Sequence, residues 1–246
     1  MSNGNDTNPE ALISLRNIGL SYWLKTGLFH REKFWAIKNI SFDLFGGDSL
    51  AVIGKNGVGK STLLRLMGAI MSPDRGKIVF NNVSTSLLSL NLGFIPYLSG
   101  RENAVLGGMF QGLTKDEIED KLDEIIAFAD LEEFIDQPIS TYSSGMVARL
   151  GFSVAFQLRP DVLLVDEIMG VGDQSFQDKS KSVMKERIKS KDTTIVLVSH
   201  SAAEIRELCN RVIWIEDHVI QADGPTEEVL HDYGIFLVHG TKKVPA

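Results

Sequence analysis

Gly54 to Ser61 reads GKNGVGKS, a complete G-x-x-x-x-G-K-[ST] motif between an apolar run, Ser49 to Ile53, and a helical pattern from Lys60. Gly54, Gly57 and Gly59 let the backbone curl so that consecutive N–H groups face one anion, with Lys55, Asn56 and Val58 completing the curve. The helix that follows adds the positive end of its dipole. Lys60 supplies a point charge for β- and γ-phosphates, and Ser61, with Thr62 beside it, offers a hydroxyl to Mg²⁺. A second group lies in VLLVDE, where Asp166 and Glu167 end a buried run at the edge where open α/β sheets hold ligands. Asp166 is suited to hold Mg²⁺ through water, and Glu167 to polarise an attacking water as general base. The pair of motifs is chemistry for opening a phosphoanhydride.

Further candidates stand around these. Tyr142 to Met146, YSSGM, begins a helix, and Ser143, Ser144 and Gly145 make a second small-residue turn able to present N–H groups to a phosphate. His200 follows the apolar run TIVLVS. Tyr22 ends the first strand and is placed to stack on a base, with Trp23, Phe34 and Trp35 as competitors. Cys209 is the single cysteine, read as a small apolar residue on a helix; one cysteine forms no internal disulfide and suits a reducing compartment.

These groups must be carried by a core. The chain has 246 residues, 43% hydrophobic and 23% charged, enough for one large domain. The net charge of −7 argues against nucleic acid as a partner. Strands are expected at 11–20, 36–44, 49–53, 77–80, within 83–95, and at 162–165, 194–199, 212–215 and 219–222. Val162 to Val165 and Thr194 to Ser199 lack alternation, as strands covered on both faces do. Helices are expected at 60–71, 175–191 and 226–233. Residues 101–129 read as two helices split at Thr114, which caps the second with Glu117 three residues on. Met146, Leu150, Val154 and Leu158 recur every four residues, predicting a helix with one buried stripe, stopped by Pro160. The fold class is α/β: a P-loop core with a mostly parallel sheet, an antiparallel N-terminal part, and a helical insertion at about 100–160. Residues 1–10 are expected to be a disordered tail, 11–235 the domain, and 236–246 a short tail.

With YSSGM lying between the P-loop and VLLVDE, the chain resembles the ABC ATPases over about Leu12 to Tyr233. YSSGM is similar to the family's signature LSGGQ, keeping Ser143 and Gly145 and departing at Tyr142, Ser144 and Met146. The resemblance implies ATP and Mg²⁺ as ligands, and a homodimer in which each signature closes on the ATP held by the partner's P-loop. It implies that His200 contacts the γ-phosphate, and that Gly172 and Asp173 form the loop crossing the dimer interface. The family's glutamine before the helical insertion is absent; Leu90 and Asn91 stand near its place, and its role stays unassigned.

GFIPYLSGREN, YSSGM with ARLGF, and VDE followed by GVGDQSF resemble the ATP-binding subunits of bacterial polysaccharide exporters. That resemblance implies a polytopic membrane permease as partner, a lipid-linked polysaccharide as cargo, and a place on the cytoplasmic face of the inner membrane. No window reaches the ~18 apolar residues a membrane span needs, so the channel belongs to another chain. No carbohydrate-binding domain is expected after Tyr233. The aromatic and basic segment Tyr22 to Trp35 has two readings, a surface loop packed on the core or a contact toward membrane and polymer. A GTPase is disfavoured because no N-K-x-D motif follows VLLVDE. A soluble ABC ATPase acting on DNA or ribosomes is disfavoured because neither a second cassette nor a coiled-coil insertion is present. A binding-only module is disfavoured by the presence of Lys60, Asp166, Glu167 and His200.

Overall fold

The computed structural model describes residues 10–25, 31–88, 93–157, 159–166, 173–190 and 193–240. Strands β1 (Ala11–Lys25), β2 (Arg31–Phe45), β3 (Ser49–Ile53), β4 (Arg75–Phe80), β5 (Thr85–Leu88), β6 (Val162–Asp166), β7 (Thr194–Val198), β8 (Arg211–Glu216) and β9 (Val219–Pro225) join in one sheet. Their order is β4-β1-β2-β9-β8-β3-β7-β6-β5. From β8 to β5 every pairing is parallel, while β1 pairs antiparallel with both β2 and β4, and β8 with β9. A single parallel bridge, Asn39 to Val219, joins the two parts.

The central strands show why they lack alternation. Leu50 and Val52, Val162 and Leu164, and Val196 and Val198 face one core, with Leu63, Leu64, Leu66 and Met67 of helix α1 (Lys60–Met67). Ala51, Ile53, Leu163, Val165, Ile195 and Leu197 face the other, so both sides of each strand are dry. Each fully buried Leu or Val contributes about 1.5–3 kcal/mol, and the polar residues of these strands, Ser49, Thr194 and Asp166, stand only at their ends.

Helices α2 (Gly100–Phe110), α3 (Lys115–Glu119), α4 (Leu122–Ala129) and α5 (Ser144–Gln157) lie between β5 and β6. Ser99 and Thr114 each form a reciprocal capping box, with Glu102 and Glu117 respectively. Helices α6 (Gln174–Ser190) and α7 (Ala202–Leu208) flank β7, and α8 (Thr226–His239) follows β9.

Several expected boundaries are corrected. Within the Tyr22 to Trp35 segment the described residues 22–25 and 31–35 are strand and not loop: β1 and β2 each run about five residues further than expected, pairing Tyr22 with Phe34 and Lys25 with Arg31, while 26–30 lie outside the described residues. The outer residues, Trp23 to Lys25 and Arg31 to Phe34, are exposed and largely charged or aromatic, unread as strand because they leave no apolar period, and backbone pairing holds the ladder. Residues 101–129 form three helices, broken again at Asp120–Lys121. Helix α1 stops at Met67, where Gly68 caps it. Helix α5 has two buried faces: Leu150 and Val154 pack on the α2–α4 cluster, and Phe152 and Phe156 on the main core. Phe128, Phe152 and Phe156 stack at centroid distances of 5.5–5.9 Å, with Phe176 edge-on. Leu158 lies outside the described residues. Helix α8 continues past Tyr233 to His239, because Phe236 is buried against Trp214, 4.9 Å between rings.

Candidate functional site

The phosphate loop is the turn from β3 into α1. Gly59 is the helix N-cap at φ 104°, a left-handed conformation. A Cβ there would run into the carbonyl oxygen of Ala36 on β2, so glycine is required twice over. Gly54, at φ 147°, is similarly pressed against the carbonyl of Ile215 on β8. The loop is thus clamped between two strands of the sheet. Val58 turns inward to the core.

Lys60 is buried, and its Nζ donates to the carbonyls of Gly54 (2.8 Å) and Lys55 (3.0 Å). The ammonium is therefore held inside the curl of the loop.

A cavity of about 380 Å³ opens over this turn. Asn56, Gly57, Gly59, Lys60, Ser61 and Thr62 form its floor, and Asp166 and His200 one wall. Asp166 is carried there because it pairs in register with Val198 at the carboxyl ends of β6 and β7. His200 follows two residues later. The hydroxyl of Ser199 donates to Glu204 (2.6 Å) and accepts from Ser201 N–H, while Ser201 caps α7. His200 is thereby fixed between two anchored serines.

The opposite wall is Tyr22 and Phe34, directly paired across β1 and β2 and so on one face of the ladder. Trp23 is exposed, and Trp35 lies under the cations of Lys33 and Arg75 at 4.4 and 4.5 Å. Neither tryptophan lines the cavity. Phe34 is braced by His218, whose ring meets it edge-on at 5.3 Å and whose Nδ1 is 3.1 Å from the Ala36 carbonyl oxygen.

Ser143, Ser144 and Gly145 do not line this cavity. Ser143 caps α5, its Oγ accepting from Met146 N–H at 3.2 Å, and both serines are exposed. Tyr142, the first departure from the family signature, donates its hydroxyl to the Phe134 carbonyl at 2.6 Å. Burial, with the charge of Asp136, raises its pKa and keeps it a donor. The signature turn is therefore tied to the end of the α2–α4 cluster. Asp173 caps α6, with Oδ1 accepting from Phe176 N–H at 2.9 Å. Glu167, Gly172, Leu90 and Asn91 lie outside the described residues.

Sequence reasoning missed Asn103. It is buried at 1% exposure, accepts from Ile95 N–H and donates to the carbonyls of Ile95, Leu98 and Ser99. It thus organises the whole PYLS turn, and its place in the SGREN run was the available signal.

The ABC transporter family model matches residues 37–170. An O-antigen export system ATP-binding protein from Klebsiella pneumoniae, RfbB, is 43% identical over 206 residues, 84% of this chain and 83% of its own length. The teichoic acids export ATP-binding protein TagH of Lactococcus lactis is also 43% identical, over 88% of this chain, which spans 46% of that longer protein. Among solved structures, the dimeric post-hydrolysis state of the ATP-binding cassette MJ0796, bound to ADP and Pi, superposes with a TM-score of 0.74 at 22% identity. That match covers 87% of this chain and 98% of the other, and shares the fold.

Proposed function

The chain belongs to the ABC transporter family, and from that premise we propose that it binds and hydrolyses ATP to drive export of a lipid-linked polysaccharide through a separate membrane subunit. The observation that carries the export reading is the 43% identity to an O-antigen export ATP-binding protein over most of both chains. Among the described residues no helix is long and apolar enough to cross a membrane. A polytopic permease would supply the path and hold this subunit at the cytoplasmic face of the inner membrane.

The lining of the cavity supports the following roles. Tyr22 stacks on the adenine, with Phe34 extending the same wall. The N–H groups of the loop from Asn56 to Thr62 and the positive end of α1 receive the phosphates. Lys60 turns from the loop carbonyls to the β- and γ-phosphates as they arrive. The Ser61 hydroxyl and the Asp166 carboxylate, both on this cavity, are the hard oxygen donors that Mg²⁺ accepts alongside phosphate oxygens. When bound, Mg²⁺ neutralises charge developing on the phosphates. Glu167, next in the chain after Asp166, takes the proton of the attacking water. His200 donates to the γ-phosphate from its braced position. Because Ser143 and Gly145 are off this cavity, they serve the ATP of a second copy, and Asp173 stands at the interface between the copies.

Glu167→Gln tests the reading. It should bind ATP, lose turnover and accumulate as a closed dimer seen by light scattering. Hydrolysis at the unaltered rate contradicts the assignment. For the export arm, the protein purified from membranes should bring a polytopic partner with it.

A further inference from the structure

Lys55 occupies an unspecified position of the G-x-x-x-x-G-K-[ST] turn, and its side chain, 54% exposed, nevertheless meets two groups while its carbonyl meets a third. Its Nζ lies 3.4 Å from Oε1 of Glu216, the last residue of β8. The same ammonium stands 4.7 Å from the ring centroid of Phe236 on α8. Its carbonyl accepts from Lys60 Nζ. Glu216 is 8% exposed, and its second oxygen, Oε2, has no hydrogen-bond partner among the described residues. Among the described residues Lys55 is the one cation paired with this carboxylate, which depends on it. The neighbouring residue, Ile215, supplies the carbonyl against which Gly54 is pressed. Gly54 gives the other carbonyl that holds Lys60.

We propose that Lys55 is a positioning residue: pinned by Glu216 and Phe236, it sets the Gly54 and Lys55 carbonyls that hold Lys60 ready for phosphate. Helix α8 and the end of β8 are then part of the phosphate loop's support. Turning either carbonyl away loosens the loop backbone and lets the Lys60 ammonium wander before nucleotide arrives; the lost pre-organisation outweighs the carbonyl bonds Lys60 gives up on binding, so affinity for ATP falls. Glu216 and Phe236 do not line the cavity assigned to nucleotide, and they act through Lys55 of the loop. The proposal rests on the nucleotide reading above.

The test is a double-mutant cycle on the full chain, read by titration with a fluorescent ATP analogue and by steady-state kinetics. Lys55→Met and Glu216→Gln should each weaken binding by about twofold to fivefold, as suits an ion pair whose lysine is half exposed. For Glu216→Gln the loss should appear in KM and not in kcat. The double variant should be no weaker than the worse single one, since both break one chain of contacts. Lys55→Arg should restore affinity, because a guanidinium can pair with Glu216 and stack on Phe236. Phe236→Leu should weaken binding in the same direction. Additive losses, unaltered affinity in Glu216→Gln, or no rescue by Lys55→Arg would overturn the proposal. If Glu216→Gln fails to fold, Lys55→Met against Lys55→Arg decides the matter alone. Lys60→Ala separates the two levels: retained ATP affinity there refutes the nucleotide reading itself, whereas its loss beside an unaffected Lys55→Met refutes only this proposal.

Discussion

Gly59→Ala puts a methyl group where the structure has no room for one. Gly59 sits at φ 104°, and left-handed backbone costs an L-residue about 1–2 kcal/mol. The new Cβ also collides with the Ala36 carbonyl and stands 3.1 Å from Cγ1 of Ile37. A carbonyl in a paired strand cannot rotate away as a side chain can, so overpacking adds about 1–3 kcal/mol. The sum is about 2–5 kcal/mol, divided between a less stable fold and a loop lifted off β2. Were about 3 kcal/mol of that range expressed in binding, ATP affinity would fall by somewhat more than about a hundredfold. Expressed in stability, it would lower the unfolding midpoint by about 6–12 °C for a domain of this size. Gly57→Ala is the control. Gly57 also has positive φ, at 82°, but a Cβ there meets nothing within 4 Å, leaving only the backbone strain. Thermal unfolding without nucleotide and ATP titration should both be measured on the two variants. If Gly59→Ala loses no more than Gly57→Ala in either, the clamp of β2 on the loop is refuted.

Other outcomes follow from the same contacts. Phe152→Ala should cost about 3–5 kcal/mol by opening the stack of Phe128, Phe152, Phe156 and Phe176, measured by denaturant unfolding. Tyr142→Phe should cost about 1 kcal/mol and loosen the signature turn; an unchanged unfolding midpoint contradicts the tie to Phe134. Asp161 accepts from the N–H and hydroxyl of Ser84, which lowers its carboxyl pKa. Its contribution is therefore present above the unfolded value near 3.8 and lost as pH falls through the lower folded value. Asp161→Ala should make stability less pH-dependent in that acid window, and an identical acid profile contradicts this.

The parallel centre of the fold was legible because both faces of β3, β6 and β7 are covered, leaving unbroken apolar runs. The phosphate loop was legible because its chemistry restricts residue types at fixed spacing. The β1–β2 hairpin was not, since its outer part is charged and aromatic and is held by backbone pairing, which leaves no apolar period. Asn103 was not singled out because one polar residue satisfying a turn has no sequence period. The competition among Tyr22, Trp23, Phe34 and Trp35 needed the register: pairing Tyr22 with Phe34 puts those two on the cavity and turns both tryptophans away. The second face of α5 was hidden because phenylalanines at 152 and 156 fall between the residues of the first stripe.

The composite site is the central claim, and nucleotide trapping in a mixed dimer tests it most directly. Each ATP would need Lys60 from one chain and Ser143 from the other. A linked dimer of one Lys60→Ala chain and one Ser143→Arg chain then has one site with both lesions and one with neither. With vanadate or a fluoride mimic of phosphate, it should trap one nucleotide per dimer, while each homodimer of the single variants traps none. If the motifs acted within one chain, each site would carry a lesion and the mixed dimer would trap none, which would contradict the account.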